Sequence, residues 1–246
     1  MTDRAPDGMS EAGNPIYRHV RSKPFEAAAG DPETVEAVDK HIEAHLGKIA
    51  TVFHEIVSDL VHVDIHVVAP TSEKNYYTLV TSGMSDRPMN VPESMRKFQY
   101  LELLLSLPPT WPMDDKLASF KDERNYWPLR LLKILARMPH EYDTWLGLHH
   151  TMPNGDPEAP FADGTRLSGA IITIPHLVPP KFASLDVRPD KRVWFLAVTP
   201  LYPEEMVYKL QKGGEALDAL LEKHGLTEIV DPQRKSVCRK KFLGLF

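Results

Sequence analysis

The chain has 246 residues, of which 42% are hydrophobic and 26% are charged. A chain of this length and composition can bury a substantial core, as one large domain or two small ones. The formal net charge of -5 disfavours nucleic acids and anionic membranes as main partners, because both require a basic surface. The single cysteine, Cys238, excludes an internal disulfide and fits a reducing compartment, so we expect a cytoplasmic location.

The first 30 residues are rich in alanine, glycine, proline and charge, and they follow no sustained hydrophobic period. We interpret residues 1–30 as a flexible N-terminal lead-in and residues 31–246 as the folded domain. The N-terminus lacks the basic stub and apolar segment of a secretory signal, and no apolar run in the sequence approaches the ~18 residues of a membrane span. We therefore predict no membrane association.

The first predicted helix begins at Asp31 and Pro32. Aspartate is a good N-cap and proline is favoured at the first helical position, while Gly47 offers a C-terminal stop. Between these signals the apolar residues recur with helical spacing, which indicates one buried face. That face consists of Val35, Val38, Ile42 and Leu46.

Four strands are predicted next. Residues 61–67 alternate between apolar and polar side chains, which is typical of a half-buried strand, and residues 51–57 are its predicted hairpin partner. A third strand is predicted over residues 76–81. Residues 98–107 are more continuously apolar than the other strands, which suits a central strand covered on both faces but also allows a helix.

A helical pattern covers residues 114–138, with a predicted break at Trp127 and Pro128 and an end at Pro139. The loop that follows, residues 144–166, is rich in proline and glycine and is longer than compact domains usually contain. Long loops held by a rigid scaffold often carry recognition residues.

The last third of the chain predicts two strands, residues 166–175 and 192–200, then a helix that starts after Tyr202 and another over residues 215–224. The apolar residues at the C-terminus are expected to dock on the domain; they are Phe242, Leu243 and Phe246. Because strands and helices are intermixed, we predict an α+β fold, a single domain with a mixed β-sheet flanked by helices in an α/β sandwich.

Histidines at several nearby positions suggest a metal site. A strand rises ~3.3 Å per residue, so His62 and His66 lie too far apart for one ion, whereas His62 and Asp64 could share one. The same alternation also fits a solvated or helix-covered strand face. Neither a cysteine cluster nor an HExxH helix is present in the sequence. We therefore predict no metal and no cofactor.

A nucleophilic site is a second candidate. Ser82, Ser85 and Asp86 could form a triad with His149 or His150, but no GxSxG turn frames either serine. The same serines and aspartate are also what a tight turn contains. We predict no catalytic residues. The alternative is a small-molecule hydrolase or a metal-dependent enzyme that uses the region of Asp86 and His150.

Six blocks of the sequence carry a resemblance to a known family. They are VFHEIVSDLVHVDIHVVAP, YYTLVTSGMSDRPMNVP, LPPTWP, WPLRLLKILARMPH, TWLGLHHTMPNGDP and WFLAVTPLYPEEMVYKL, in this order between Val52 and Leu210. These blocks closely resemble bacterial members of the suppressor of fused family, in a form with one domain. The loop of many bacterial relatives reads Gly-His-Thr, and of this pattern the chain keeps His150 and Thr151.

The resemblance implies an α/β sandwich with a binding role rather than catalysis. Animal members are cytoplasmic and nuclear negative regulators that bind transcription factors of the Hedgehog pathway, and they hold an extended peptide between two lobes by strand addition. Bacterial relatives have been proposed as immunity proteins that neutralise toxins. We therefore expect a protein partner, with a toxin as the specific candidate.

We predict that this partner binds two loops, residues 82–90 and 145–156. Trp145 opens the second loop, and it is either an interface anchor or a plug in the core. The predicted contact residues are Ser82, Ser85, Asp86, Arg87, Trp145, His149, His150, Asn154 and Asp156.

Overall fold

The fold is organised by one eight-stranded sheet. The computed structural model describes residues 5–21, 23–113 and 118–238. In chain order its elements are β1 (Gly8–Met9), β2 (Pro15–Ile16), α1 (Pro32–His45), β3 (Ile49–Phe53), β4 (Asp64–Val68), β5 (Tyr77–Ser82), β6 (Leu101–Leu107), α2 (Glu123–Glu141), β7 (Thr151–Pro153), β8 (Gly169–Thr173), β9 (Ser184–Arg188), β10 (Lys191–Leu201), α3 (Pro203–Lys212) and α4 (Gly214–Lys223).

The strands of this sheet follow the order β3-β4-β5-β6-β10-β8-β7, and β9 also pairs with β10. Strands β6 and β10 run parallel, whereas the other pairs in the sheet are antiparallel. The long strand β10 pairs with β9 along its first half and with β8 along its second half. The predicted α+β fold with a mixed sheet flanked by helices is confirmed.

Strand β6 is central, and helices cover both of its faces. Successive residues of a strand point to opposite faces, so Leu103 packs in one cluster with Leu132 of α2, while Leu104 packs in another with Ile42 of α1. All seven residues of β6 are buried. The first interpretation of residues 98–107, a strand with two covered faces, is therefore confirmed, although the strand begins only at Leu101.

Helices α3 and α4 cover the far end of the sheet. Ile171 of β8 and Leu201 of β10 form a small cluster with Met206 of α3 and Leu217 of α4. Leu201 points to the same face as Ala197, which packs in the α1 cluster. The face opposite α2 is thus shared by α1 and the α3–α4 pair.

The predicted start of α1 is confirmed, whereas the predicted bounds of α2 are wrong in part. Helix α1 has Asp31 as its N-cap residue and ends at His45. Helix α2 begins only at Glu123, and it continues through Pro128 and Pro139 without the predicted break. A proline removes one hydrogen bond from the helix, and the burial of the neighbouring Trp127 and Leu129 against the sheet offsets this loss of stability.

The predicted half-burial of residues 61–67 is wrong, because α1 covers their polar face. All five residues of β4 are buried, and the ring of His66 lies 3.2 Å from Asp39 of α1. The predicted hairpin partner is confirmed, since β3 pairs with β4. Strand β3 ends at Phe53, however, so the connection to β4 spans residues 54–63.

Part of the lead-in lies against the domain. The amide of Leu60 donates to the carbonyl of Glu26 (2.8 Å), and the amide of Ala28 donates to that of Ser58 (3.3 Å). The flexibility of residues 1–30 stays a prediction. The expected docking of Phe242, Leu243 and Phe246 lies outside the described residues. In the described ranges, every helix is too short or too polar to cross a membrane.

Helix α2 offers a matched pair of residues with which to test the core. Leu132 is 0% exposed and Ile134, two residues later, is 45% exposed. We expect Leu132→Ala to lower the free energy of unfolding by about 2–5 kcal/mol, because it removes buried methyl groups and leaves a cavity. Ile134→Ala should cost less than about 1 kcal/mol. Urea denaturation followed by circular dichroism measures both, and equal losses would contradict the packing described.

Candidate functional site

A buried carboxylate holds the loop that follows β5. Glu102 of β6 is 0% exposed. It accepts hydrogen bonds from the hydroxyls of Thr81 and Ser85 (both 2.6 Å) and from the amides of Gly83 (3.0 Å) and Ser85 (2.9 Å). Burial raises the pKa of Glu102, and these hydrogen bonds oppose the rise. Four donors around one carboxylate fix the turn at residues 83–85.

The same turn is packed too closely for any residue but glycine at position 83. Gly83 has φ +111, and a Cβ there would lie 1.7 Å from the carbonyl oxygen of His62. The next carbonyl, that of Met84, accepts a hydrogen bond from Nε2 of His140 (2.9 Å). Burial lowers the pKa of His140 to about 4, so the ring is neutral at neutral pH.

Asp86 points inward and joins the loop to the start of α1. Its Oδ2 accepts from the amide of Asp31 (3.1 Å). The other oxygen, Oδ1, is buried without a hydrogen-bond partner among the described residues. Burial raises the pKa of Asp86 to about 7. Close by, the buried amino group of Lys191 lies 2.6 Å from the hydroxyl of Thr34 and 3.5 Å from Asp31.

The structure places the four predicted residues of the first loop in two environments. Ser82 and Ser85 are buried, so their side chains present no surface to a partner. Asp86 is half-buried, and Arg87 is exposed. The guanidinium of Arg87 forms an ion pair with Glu26 of the lead-in (2.5 Å), a contact that solvent screens. Of this group, Arg87 is the residue available for recognition.

The two predicted loops meet at one point. The amide of Asn90 donates to the carbonyl of Thr144 (3.1 Å), and the amide of Leu146 donates to the sulfur of Met89 (3.4 Å). A groove of about 520 Å³, here called the loop groove, lies beside this junction. Its walls are Lys23, Pro88, Met89, Asn90, Val91, Glu93, Arg96, Gln99, Pro139, His140 and Asp143.

The second loop turns away from this groove towards β8 and α4. The amide of His149 donates to the carbonyl of Ile172 in β8 (2.8 Å), and its Nε2 lies 3.1 Å from Oδ2 of Asp218 in α4. The half-buried ring of Trp145 packs against the main core and lies 4.3 Å, between centroids, from the ring of His150. Burial lowers the pKa of His150 to about 4.

The remaining predicted residues are Asn154 and Asp156. The side-chain amide of Asn154 donates to the carbonyls of Ala159 (2.8 Å) and Pro160 (3.1 Å), so it holds the loop in shape. Asp156 is exposed and lies 3.9 Å from the guanidinium of Arg18. The nine predicted residues therefore divide between two regions, and a partner role for the exposed ones stays a prediction.

Two histidines and one aspartate meet at the start of β4. Nδ1 of His54 lies 2.8 Å from Oδ2 of Asp64, and Nε2 of His62 lies 3.0 Å from Oδ1. One ligand atom from each residue lies within 4.8 Å of the others, which is close enough for all three to hold one metal ion. His66, which was considered with them from the sequence, is buried against α1 instead.

Comparison with known proteins identifies the family. Residues 59–235, well over half of the chain, match the family described as "Suppressor of fused protein (SUFU)". The chain belongs to the suppressor of fused family. A comparison with curated proteins finds no match. The resemblance carried by the sequence blocks is confirmed, and with it the membership of a protein-interaction family.

Solved structures of suppressor of fused proteins share the fold. A protein of Neisseria gonorrhoeae, described as a homologue of suppressor of fused, superposes with a TM-score of 0.62 at 16% identity and covers 86% of this chain and 100% of its own. A chain of the Sufu–Fu complex gives 0.59 at 14% identity, covering 84% and 93%. Drosophila Suppressor of Fused gives 0.56 at 14% identity, and this chain spans 54% of its length.

In these sites the sequence did not predict the role of Glu102 or the contact of His54 with Asp64. Glu102 carries a signal, because it is the lone acid in the apolar segment LELLLSL, and such an acid must find donors in the core. The sequence indicates the role of His54 less clearly. His54 meets Asp64 only because β3 ends early and the connection to β4 folds back.

Replacing Glu102 tests whether the turn at residues 83–85 depends on it. We expect Glu102→Leu to lower the free energy of unfolding by at least about 3 kcal/mol, because several buried donors lose their acceptor. The control is Glu93→Leu, at a glutamate whose side chain is 66% exposed in a surface ion pair. Urea denaturation compares the two, and a loss below about 1 kcal/mol for Glu102→Leu would contradict this role.

The pKa of Asp86 predicts a pH dependence. Its folded-state pKa of about 7 lies above the ordinary value of 3.8, so the folded state binds more protons between pH 4 and pH 7. The contribution of Asp86 to the free energy of unfolding therefore decreases as pH rises through this range. Subtracting the Asp86→Asn profile from that of the wild type isolates this contribution, because His140 and His150 titrate in both proteins.

The control for this experiment is Asp156→Asn, at an aspartate whose side chain is 83% exposed. Its difference profile should be flat between pH 4 and pH 7. A flat Asp86→Asn difference profile would show that the carboxyl is not shifted. The measurement is urea denaturation at half-unit pH intervals.

Proposed function

We propose that this chain is a non-enzymatic, cytoplasmic domain that binds a segment of another protein. Two observations support a protein ligand. The chain belongs to the suppressor of fused family, a protein-interaction family, and one of its structural relatives comes from a Sufu–Fu complex. The identity of the partner does not follow from these relatives.

The loop groove is the surface that we propose for the partner. Three segments form it, and its backbone is held by the contacts of Met89 and Asn90 with the second loop. Its charged walls include Lys23 and Arg96 as cations and Glu93 and Asp143 as anions. Such a mixed lining suits an extended segment that carries charges of both signs, for which each wall charge can select a register.

A toxin is the specific partner that we propose, which would make the chain an immunity protein. The sequence blocks resemble bacterial relatives for which this role has been proposed. The net charge of -5 also favours association with a basic protein through electrostatic steering.

The enzyme alternative has less support. Asp86 contacts the start of α1, whereas His150 contacts Trp145 beside β8, so they belong to separate clusters. The serines that a triad would use are buried and bonded elsewhere or turned inward. A pKa of about 4 also makes His150 a weak base at neutral pH.

A photo-crosslinking residue in place of Asn90 tests the groove. We expect ultraviolet irradiation in the native lysate to capture one protein, which mass spectrometry identifies and calorimetry then titrates. Arg96→Glu should weaken binding of that purified protein by at least about 1 kcal/mol, roughly fivefold in Kd, because it reverses a charge of the groove wall. The matched control is Lys181→Glu, at an exposed lysine outside the groove.

Equal affinities for the wild type and Arg96→Glu would place the partner elsewhere. Purification with a small molecule and no specific protein would contradict the binding role itself. In that case a substrate screen in which His150→Ala abolishes the activity would favour the enzyme alternative.

A further inference from the structure

The connection between β3 and β4 contains an arrangement of ligand atoms that the binding role does not use. His54 follows β3, while His62 and Asp64 lie at its other end, and the early end of β3 brings them together. We propose that His54, His62 and Asp64 form a zinc site. This inference is independent of the proposed partner.

The distances suit one ion after small side-chain adjustments. Ligands of a tetrahedral ion at about 2.1 Å lie about 3.4 Å from one another. The carboxylate of Asp64 is now 2.8 Å from the ring of His54 and 3.0 Å from that of His62, and the full set lies within 4.8 Å. The two short pairs would open by about half an ångström around the ion, and a pair as far apart as 4.8 Å would close by about 1.4 Å.

Hydrogen bonds around the cluster hold two of the ligands in place. The hydroxyl of Ser58 lies 2.6 Å from Nδ1 of His62. This hydroxyl can donate to Nδ1 when Nε2 carries the proton, or accept from Nδ1 when Nε2 binds an ion, so it supports both states. The amide of Glu55 donates to Oδ1 of Asp64 (2.9 Å) and fixes the carboxylate.

The charge of the carboxylate also favours a cation. The carboxylate of Asp64 accepts a hydrogen bond from the Glu55 amide and lies beside both imidazoles, so its negative charge faces the position of the ion. The cations that face the cluster are Lys133 and Arg137 of α2. Arg137 is paired with the carboxylate of Glu55, so it opposes a metal ion less than a free cation would.

The chemistry of these ligands selects a transition metal. Two imidazoles and one carboxylate suit Zn²⁺, whereas Mg²⁺ and Ca²⁺ prefer oxygen ligands throughout. The side chain of His54 is 72% exposed, which gives an ion access from solvent. Three protein ligands also leave a fourth position of a tetrahedral ion to water or to a side chain of another protein.

An ion at this position would join the two ends of the connection. The residues between the ligands include Ile56, which is 98% exposed, and Val57, which is 71% exposed. These are large apolar side chains at the exposed tip of the connection, whose later residues Val61 and Val63 are buried in the main core. Zinc would therefore order an apolar tip on the surface of the domain.

Calorimetric titration of chelator-treated protein with ZnCl₂ tests the site. We expect one ion per chain, and we expect His54→Ala to weaken zinc binding by at least about tenfold through loss of a ligand. Ser58→Ala should weaken it by roughly tenfold, since it removes the hydrogen bond that orients His62. His224→Ala, at an exposed histidine bonded to its own helix, is the matched control and should bind as the wild type does.

Hydrogen exchange supplies a second readout. Addition of zinc should slow exchange of the amides at residues 54–63 in the wild type and leave them unchanged in His54→Ala. Because His54 is exposed, this variant should keep the circular dichroism spectrum of the wild type. Equal zinc affinity in His54→Ala and His224→Ala, or no saturable binding by the wild type, would overturn the proposal.

Discussion

The loop after β5 depends on the hydrogen bonds that the buried carboxylate of Glu102 accepts. An acid buried in the centre of a sheet is costly unless hydrogen-bond donors surround it. In the described part of the chain, the turn at residues 83–85 and Thr81 supply these donors. The turn therefore has little freedom to take another shape. Asp86, immediately after it, is placed against the start of α1 and extends the same connection to the helix that covers this face of the sheet.

This arrangement separates residues that maintain the loop from residues that are free to recognise another molecule. Ser82, Ser85 and Asp86 turn inward, which is why a stretch that reads as a reactive loop in the sequence is structural in the fold. The residues around Asn90 and Arg96, where the loop ends and the groove begins, form the surface that we propose for recognition. A rigid base under an exposed rim is a common design for binding loops, because it limits the entropy lost when a partner binds.

Local signals predicted much of the fold, and long-range contacts explain what they missed. The cap at Asp31 and the apolar run of β6 are local features, and both led to the observed elements. The polar side of β4 fitted a solvated face as well as a helix-covered one, and the sequence did not decide between them. Pro128 looked like a helix end because its burial beside Trp127 depends on the sheet. The meeting of His54 with Asp64 likewise depends on how the connection between their strands folds back, which no periodicity encodes.

The parallel pairing of β6 with β10 has a consequence for synthesis of the chain. Leu101 pairs with Trp194, more than 90 positions later, whereas β3 to β6 form successive antiparallel pairs from neighbouring segments. During translation the largely apolar β6 is thus an open sheet edge until β10 leaves the ribosome. While the residues between β6 and β10 are being synthesised, the nascent domain can form wrong strand pairs. A chaperone that covers a hydrophobic edge would act during this time.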